Sequence, residues 1–299
     1  MSSFLQYVRT AWIDHFPGTS PTNTYYSQTP TLRQIPSGTG VYVSNCLFNS
    51  IVESNQGGAL YCTSATYFLV ESSSFFSCKT SSSGGAIYFS NSGGQSVLYK
   101  VCGYDCCTTN SNSYLFGYIR VNNTATSKNY VNYSSIVRCV NENSASIIFY
   151  FNKGKICCQS VNASMNKCGY RTLYNDPFRD SSSVTCSYSY SSFADNIISG
   201  YTCIRFWLYE AKSEIKSCNI LRNTQVSGTE GIIAINGNTM IADSCILENQ
   251  ATYIFHQCDA SYRITLSNCT VDSTLNNGYL TTQNTVTKSF ILALNHMST

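Results

Sequence analysis

Bulky apolar positions in this chain recur at long, nearly constant intervals. A bulky residue preceded two places earlier by a small one appears as Phe48, Phe76, Tyr104, Ile136, Met165, Phe193, Ile220, Ile246 and Val271, at intervals of 25 to 32 residues. The preceding residues are Cys46, Ser74, Cys102, Ser134, Ala163, Ser191, Cys218, Ser244 and Cys269, all small. A column of small residues kept through so many intervals is the mark of stacked structural repeats. A further column, three residues after the anchors, reads Ile51, Lys79, Cys107, Cys139, Cys168, Asn196, Asn223, Asn249 and Thr274. Like residues follow like when each repeat sits on the last. Asn tolerates the left-handed backbone of a turn and can bond its amide to the next rung, so this column predicts a turn ladder.

Each anchor is followed by a polar turn and a second apolar segment. Two of these segments open with the same motif, Gly57-Gly58-Ala59-Leu60-Tyr61-Cys62 and Gly84-Gly85-Ala86-Ile87-Tyr88-Phe89. The pattern predicts second strands at 58–62, 85–89, 114–120, 146–151, 171–174, 202–208, 231–235, 252–256 and 278–282. No stretch between them has a helical period, so successive coils pair in parallel, about 4.8 Å apart. The predicted fold is all-β: a single-stranded right-handed parallel β-helix, a solenoid of about nine coils and ~40 Å long. Propeller blades need about 40 residues or more and antiparallel hairpins. The Asn236-Gly237 and Asn277-Gly278 dipeptides do not recur at the spacing that hairpins require.

The repeat is expected to span residues 41–285, with residues 1–40 as an N-terminal cap and loop. Phe4, Leu5, Val8, Trp12 and Ile13 suit a short amphipathic helix closing the open end of the stack, where unpaired strand edges would otherwise invite polymerisation. Pro17, Pro21, Pro30 and Pro36 make the following stretch loop-like. Residues 286–299 read as a last strand and tail. Their apolar run Phe290–Leu294 is far shorter than the roughly 20 residues a membrane helix needs. No polar cap follows it, as expected of a piece of a longer protein.

Composition narrows the picture. Only 11% of the 299 residues are charged and the net charge is +3, against about 25% charged in an ordinary domain. No basic run provides the footprint of nucleic-acid binding. The first residues lack the apolar core of a secretory signal. The sixteen cysteines include no CxxC pair, only the neighbours Cys106-Cys107 and Cys157-Cys158, so no zinc site is expected. Cysteines in the small-residue column are expected to be buried fillers. Cys107, Cys139 and Cys168, in consecutive repeats, fall where disulfides across coils are conceivable.

Gly57–Leu60, Gly84–Ile87 and Phe193-Ala194-Asp195-Asn196, with the looser Ile220–Asn223 and Ile246–Asn249, resemble the GGA[ILV] and FxxN repeats of chlamydial polymorphic outer-membrane proteins. The composition is closer to similar β-helix surface proteins of trichomonad protists. The resemblance covers residues 41 to about 285 and implies a β-helix ectodomain displayed extracellularly or at the cell surface, with adhesion proposed. Only two coils keep Gly-Gly-Ala, and neither an autotransporter barrel nor a transmembrane helix is recognised.

Candidate chemistry is sparse. Asp105, Asp176, Asp180, Asp195, Asp243, Glu248, Asp259 and Asp272 fall in different coils and turns, whereas a glycosidase needs two carboxylates facing one bond. Asp195, Arg222 and Glu248 share a column and read as a surface ion-pair ladder. His256 is the one histidine away from the chain ends and reads as a strand-end residue. No catalytic, cofactor-binding or metal-ligating residue is assigned, and no cofactor is expected. The alternating rings of the second strands nominate Tyr150, Trp207 and Tyr209 as outward ligand contacts. The expectation is a non-catalytic surface scaffold that binds a host-cell or extracellular protein or glycan along its flank. A carbohydrate-active enzyme, a polysaccharide lyase or glycoside hydrolase of the β-helix type, is the alternative.

Overall fold

The computed structural model describes residues 12–109, 113–141, 146–207, 209 and 211–288. Phe4, Leu5 and Val8 of the expected cap helix and the run Phe290–Leu294 lie outside them. About half of the chain, 51%, is strand and almost none is helix; every strand pairing among the described residues is parallel, giving a β-helix of about eight turns. Each coil crosses three long sheets. Sheet I has eleven strands, from Asn23–Tyr26 to Leu280–Gln283; sheet II has ten, from Leu47–Asn49 to Val286–Thr287; sheet III has eight, from Leu60–Cys62 to Phe255–Gln257. Strand order in each sheet follows the chain, so each coil lies directly on the one before. The coil thus has three faces where two strands are expected. Sheet I strands such as Tyr67–Glu71 and Gln95–Tyr99 precede the anchors. The last expected second strand, 278–282, joins sheet I as Leu280–Gln283.

The corner between sheets I and II explains the small-residue column. A residue with left-handed backbone turns each coil: Asn45, Ser72, Lys100, Tyr133, Ser160, Tyr190, Ser217, Asp243 and Asn268. The next residue is buried: Cys46, Ser73, Val101, Ser134, Val161, Ser191, Cys218, Ser244 and Cys269. Where it is Ser or Cys, its side chain accepts the backbone N–H of the preceding coil. Ser73 Oγ takes the N–H of Cys46 at 3.1 Å, Ser191 Oγ that of Val161 at 3.0 Å, and Cys218 Sγ that of Ser191 at 3.4 Å. The same hydroxyl or thiol donates to the carbonyl two residues back, as Ser244 Oγ does to Ala242 O at 2.7 Å. Thiol and hydroxyl are interchangeable because both are small and both donate and accept.

Two residues on, the side chain points into the core. The observed row is Phe48, Phe75, Gly103, Ile136, Ala163, Phe193, Ile220, Ile246 and Val271, in register throughout. Three expected anchors are therefore displaced. Phe76 and Tyr104 face outward beside each other, with ring centroids 6.3 Å apart. Met165 is itself a left-handed turn residue, 44% exposed. Gly103 can hold a core position because Phe116 of sheet III fills its space; a Cβ there would lie 2.2 Å from the Phe116 ring.

The corner after sheet II carries the polar column, which the corrected register makes more regular: Cys78, Cys106 and Cys139, then Asn166, Asn196, Asn223 and Asn249. The Asn amides form a ladder. Asn166 Nδ2 donates to Asn196 Oδ1 at 3.0 Å and Asn223 Nδ2 to Asn249 Oδ1 at 3.0 Å. Each also donates to a core-row carbonyl of the preceding coil, Ile136 O and Phe193 O respectively. Cys78 and Cys106 do the same with their thiols, to Phe48 O at 3.6 Å and Phe75 O at 3.4 Å. All sixteen cysteines are free thiols. Cys107 pairs with Lys79, and Cys168 lies between Asn141 and Ile198, so these two do not continue the column of Cys139.

The Gly-Gly-Ala motif is a backbone requirement. Gly57 and Gly84 adopt φ of 71° and 76°, open to glycine without strain. Gly58 and Gly85 meet the coil above so closely that a Cβ would lie 2.0 Å from Gly85 O and 2.2 Å from Leu115 O. The described part of the N-terminal segment lies against the outer side of sheet I instead of over the end of the stack. Trp12 and Phe16 are buried against the outward row Tyr42, Leu69 and Val97, while Ile13 is 46% exposed. The open end receives residues 23–36: Asn23–Tyr26 adds a strand to sheet I, and Gln34 bridges to Leu60.

Candidate functional site

Sheet III places one outward position of each coil in a straight column: Tyr61, Tyr88, Tyr118, Tyr150, Tyr174, Arg205, Ala234 and His256. Parallel in-register pairing stacks equivalent side chains, so the five tyrosines form a ladder. Ring centroids are 5.5, 4.9, 5.4 and 4.8 Å apart in turn. Tyr114 packs beside it, 4.9 Å from Tyr118 and 5.1 Å from Tyr150. Three of the four steps are face-stacked, so most ring faces are used within the ladder and edges and hydroxyls are left for a ligand. Burial raises the phenols of Tyr88 and Tyr118 and pushes Tyr114 and Tyr174 up to about 12. Tyr150 is raised as well, by burial first and then by the Asp176 carboxylate. These phenols stay protonated and able to donate across the ordinary pH range.

The three nominated residues belong to one chain of ring contacts. Tyr150 touches Tyr174, Tyr174 lies 6.4 Å from Trp207, and Trp207 meets Tyr209 edge-on at 5.0 Å. Trp207 is half-buried and Tyr209 is 39% exposed, but Tyr150 is only 9% exposed and is closer to a structural member. Tyr61, Tyr88, Tyr118 and Tyr174 were not singled out from sequence. The available signal was a Tyr directly after the core residue of sheet III, as in Leu60-Tyr61, Ile87-Tyr88, Phe149-Tyr150 and Leu173-Tyr174.

The ladder ends on guanidinium groups. Beyond Tyr174 the column continues with Arg205. Arg171 lies over Tyr170, Tyr174 and Tyr201 at 3.7, 4.7 and 5.2 Å. Both arginines are almost wholly buried and share one carboxylate: Glu230 Oε2 is 3.3 Å from Arg171 and 3.0 Å from Arg205. Arg205 also donates to Asn236 Oδ1 at 2.8 Å and to Cys258 Sγ at 2.6 Å. His256 belongs to the same neighbourhood, and burial, with the nearby Arg205, lowers its pKa. At the other end Arg33 caps Tyr61, with its guanidinium carbon 5.6 Å from the ring centre. A polar groove of about 350 Å³ opens there, lined by Arg33, Ser54, Asn55, Gln56, Tyr61 and Ser82. A second groove of about 290 Å³ on sheet I is lined by Val184, Lys212, Met240 and Arg263 among others.

Most of the acidic residues considered from sequence are tied singly to a cation, a hydroxyl or their own turn; Asp272 differs, its carboxylate accepting the backbone N–H of Glu248 in the preceding coil. Asp195 pairs with Arg222 at 2.7 Å, Asp176 with Lys153 at 2.8 Å, and Asp105 accepts from Ser77 at 2.8 Å. Asp180 and Asp259 cap their own turns through Ser182 and Ser261. Among the described residues no group of three His, Cys, Asp or Glu could hold a metal ion, and no helix is long and apolar enough to cross a membrane. A scan against protein-family models, a search of curated proteins and a search of solved structures each found no match to this chain.

Proposed function

We propose that the protein is a non-catalytic scaffold of the surface or adhesion type, which binds an extracellular or host-cell protein or glycan along the flank of sheet III. The observation that carries this reading is the column of five tyrosines from Tyr61 to Tyr174, extended by ring contacts to Trp207 and Tyr209. Aromatic edges and phenol hydroxyls in a row give a long, rigid surface whose side chains are already ordered, so a ligand meets little entropic cost in fixing them. Stacked coils leave no central cavity, which makes a flank the natural binding surface of such a rod. Most acidic residues are tied singly to a cation, a hydroxyl or their own turn, which favours binding over hydrolysis, since glycoside hydrolysis needs two carboxylates across one bond. Resemblance to the GGA[ILV]/FxxN repeat proteins supports placing the chain outside the cell or at its surface.

The test is binding of the purified chain to host cells and to a glycan array, with a variant carrying Tyr118→Ser, Trp207→Ser and Tyr209→Ser. Loss of binding with an unchanged β-rich circular dichroism spectrum is expected. Undiminished binding by the folded variant removes the reading, and cleavage of any polysaccharide on the array replaces it with the enzymatic one.

A further inference from the structure

The groove at the Tyr61 end of the ladder has a chemistry of its own. Within the ladder a tyrosine typically has rings on both faces. Tyr61 has Tyr88 on one side at 5.5 Å and the Arg33 guanidinium over its ring at 5.6 Å. Arg33 donates one N–H from Nη1 to the carbonyl of Gln56 at 3.0 Å, which fixes the fork at the groove wall. Among the described residues no carboxylate forms an ion pair with it. The other lining side chains, Ser54, Asn55, Gln56 and Ser82, are neutral donors and acceptors. Tyr61, the first ring of the ladder, is itself part of the lining, so the groove is continuous with the ladder.

This lining selects by charge. It offers an anion one positioned guanidinium, whose planar fork matches carboxylate and sulfate oxygens, together with amide and hydroxyl donors. It offers a cation no opposite charge and an apolar ligand one ring. Its volume lies at the low end of small-molecule sites, roughly 300–1,000 Å³, which suits one or two sugar units. We propose that the groove is the terminal subsite of the flank and takes an anionic sugar unit, carboxylated or sulfated. The acid group pairs with Arg33, the hydroxyls bond Asn55, Gln56 and the serines, and the sugar ring lies along the edge of Tyr61, whose faces are taken by Tyr88 and Arg33. This rests on the flank-binding reading and adds to it a ligand class and a polarity: the acidic unit lies at the N-terminal end of the ladder.

The test measures binding of the full chain to polygalacturonate, dextran sulfate and uncharged dextran, for the native protein, Arg33→Gln and Arg138→Gln. Arg33 sits on a surface loop, so its replacement leaves the core intact. Arg138 is a matched control, an arginine over the outward ring of Tyr104 at 5.9 Å but away from the groove. The expected result is retention of an acidic polymer, weakened about tenfold or more by Arg33→Gln, equivalent to about 1.4 kcal/mol, and unaffected by Arg138→Gln. Retention of polygalacturonate alone identifies a carboxylate, and of dextran sulfate alone a sulfate. Equal losses in the two variants, or unchanged binding by Arg33→Gln, overturn the proposal. Dextran binding that depends on Trp207 and Tyr209 but not on Arg33 overturns it while leaving the flank reading intact. If none of the polymers is retained, the acidic-sugar assignment falls, and the flank reading is decided separately by the cell-binding assay.

Discussion

The side-chain amide of Asn196 donates to Oδ1 of Asn223 at 2.8 Å and to the backbone carbonyl of Ala163 at 2.9 Å, while its own Oδ1 accepts from Asn166. One buried residue thus joins three successive coils. Its backbone N–H is also received by Asn223 Oδ1, at 3.1 Å. Replacing Asn196 by Leu, of similar volume, strands the N–H of Asn166 and the Ala163 carbonyl in the interior. Each such orphan costs about 1–3 kcal/mol, so with two of them Asn196→Leu is expected to lower stability by about 2–6 kcal/mol in urea unfolding. A change within about 0.5 kcal/mol, the range of ordinary surface substitutions, would mean that the ladder is not needed for stability.

The same ladder shows how far the fold could be read from sequence. Like residues in consecutive repeats announced stacking, and small residues two places before a bulky one marked the corner. The register failed where side-chain size stopped being informative. Ser73-Ser74-Phe75-Phe76 offers a small residue two places before either aromatic, and only the packing of Phe75 on Phe48, at 4.8 Å and 2° between planes, decides between them. Gly103 and Ala163 occupy core positions with almost no side chain, so the neighbouring Tyr104 and Met165 attracted the assignment. The tyrosine ladder was half visible for a related reason. Alternation shows that Tyr150 and Trp207 can face outward, but which tyrosine stacks on which depends on strand register across five coils.

Gly85 provides a sharper test of the stacking. Its Cβ position lies 2.2 Å from Leu115 O and 2.5 Å from Cys107 O, both backbone atoms that cannot move without separating two coils. Gly85→Ala should cost about 1–3 kcal/mol or more as overpacking and lower the melting temperature. Gly93→Ala has only Asn91 Oδ1, 3.6 Å away, as a neighbour and should change stability little. Equal melting temperatures for the two variants would contradict the close approach of the coils.

The N-terminal segment acts as a strap across several coils. Trp12 is 2% exposed, lies 5.8 Å from the ring of Tyr42, and donates from its indole to Thr19 Oγ1 at 3.0 Å. Trp12→Ala removes a large buried ring, a change that costs about 3–5 kcal/mol in cores. It also uncovers the apolar row Tyr42, Leu69 and Val97. The variant should unfold at lower urea and bind a hydrophobic dye while still folded. Native-like stability and no dye binding would show that the strap contributes little.

Alkaline pH should loosen the solenoid by a defined route. Burial pushes the Cys203 thiol up to about 12 and that of Cys218 up to about 11, from an ordinary 9.0, and pushes Tyr114 and Tyr174 up to about 12 from 10.0. For each group the folded state holds its proton more tightly than the unfolded state. The associated stability is complete below the unfolded pKa and is lost as pH rises toward the folded value. Urea midpoints should therefore be flat up to about pH 8, below these ordinary values, and fall steadily between pH 9 and 12. A midpoint that does not fall across that range contradicts the burial of these groups.

Glu230 is the counter-ion on which the C-terminal end of the aromatic column depends. It reaches Arg171 and Arg205 from a short loop whose flanking glycines, Gly228 and Gly231, have φ of 107° and 74°. Both guanidiniums are removed from water, and removing one member of a buried ionic group leaves uncompensated charge, typically at about 3–5 kcal/mol. Glu230→Gln is expected to lie in that range. Arg171 is the less exposed to this loss, because the rings of Tyr170, Tyr174 and Tyr201 surround its guanidinium. Arg205 depends more on the carboxylate, so adding Arg205→Met to Glu230→Gln should restore part of the stability, a coupling that a double-mutant cycle reads directly. Additive losses in the cycle would mean that the two residues act independently.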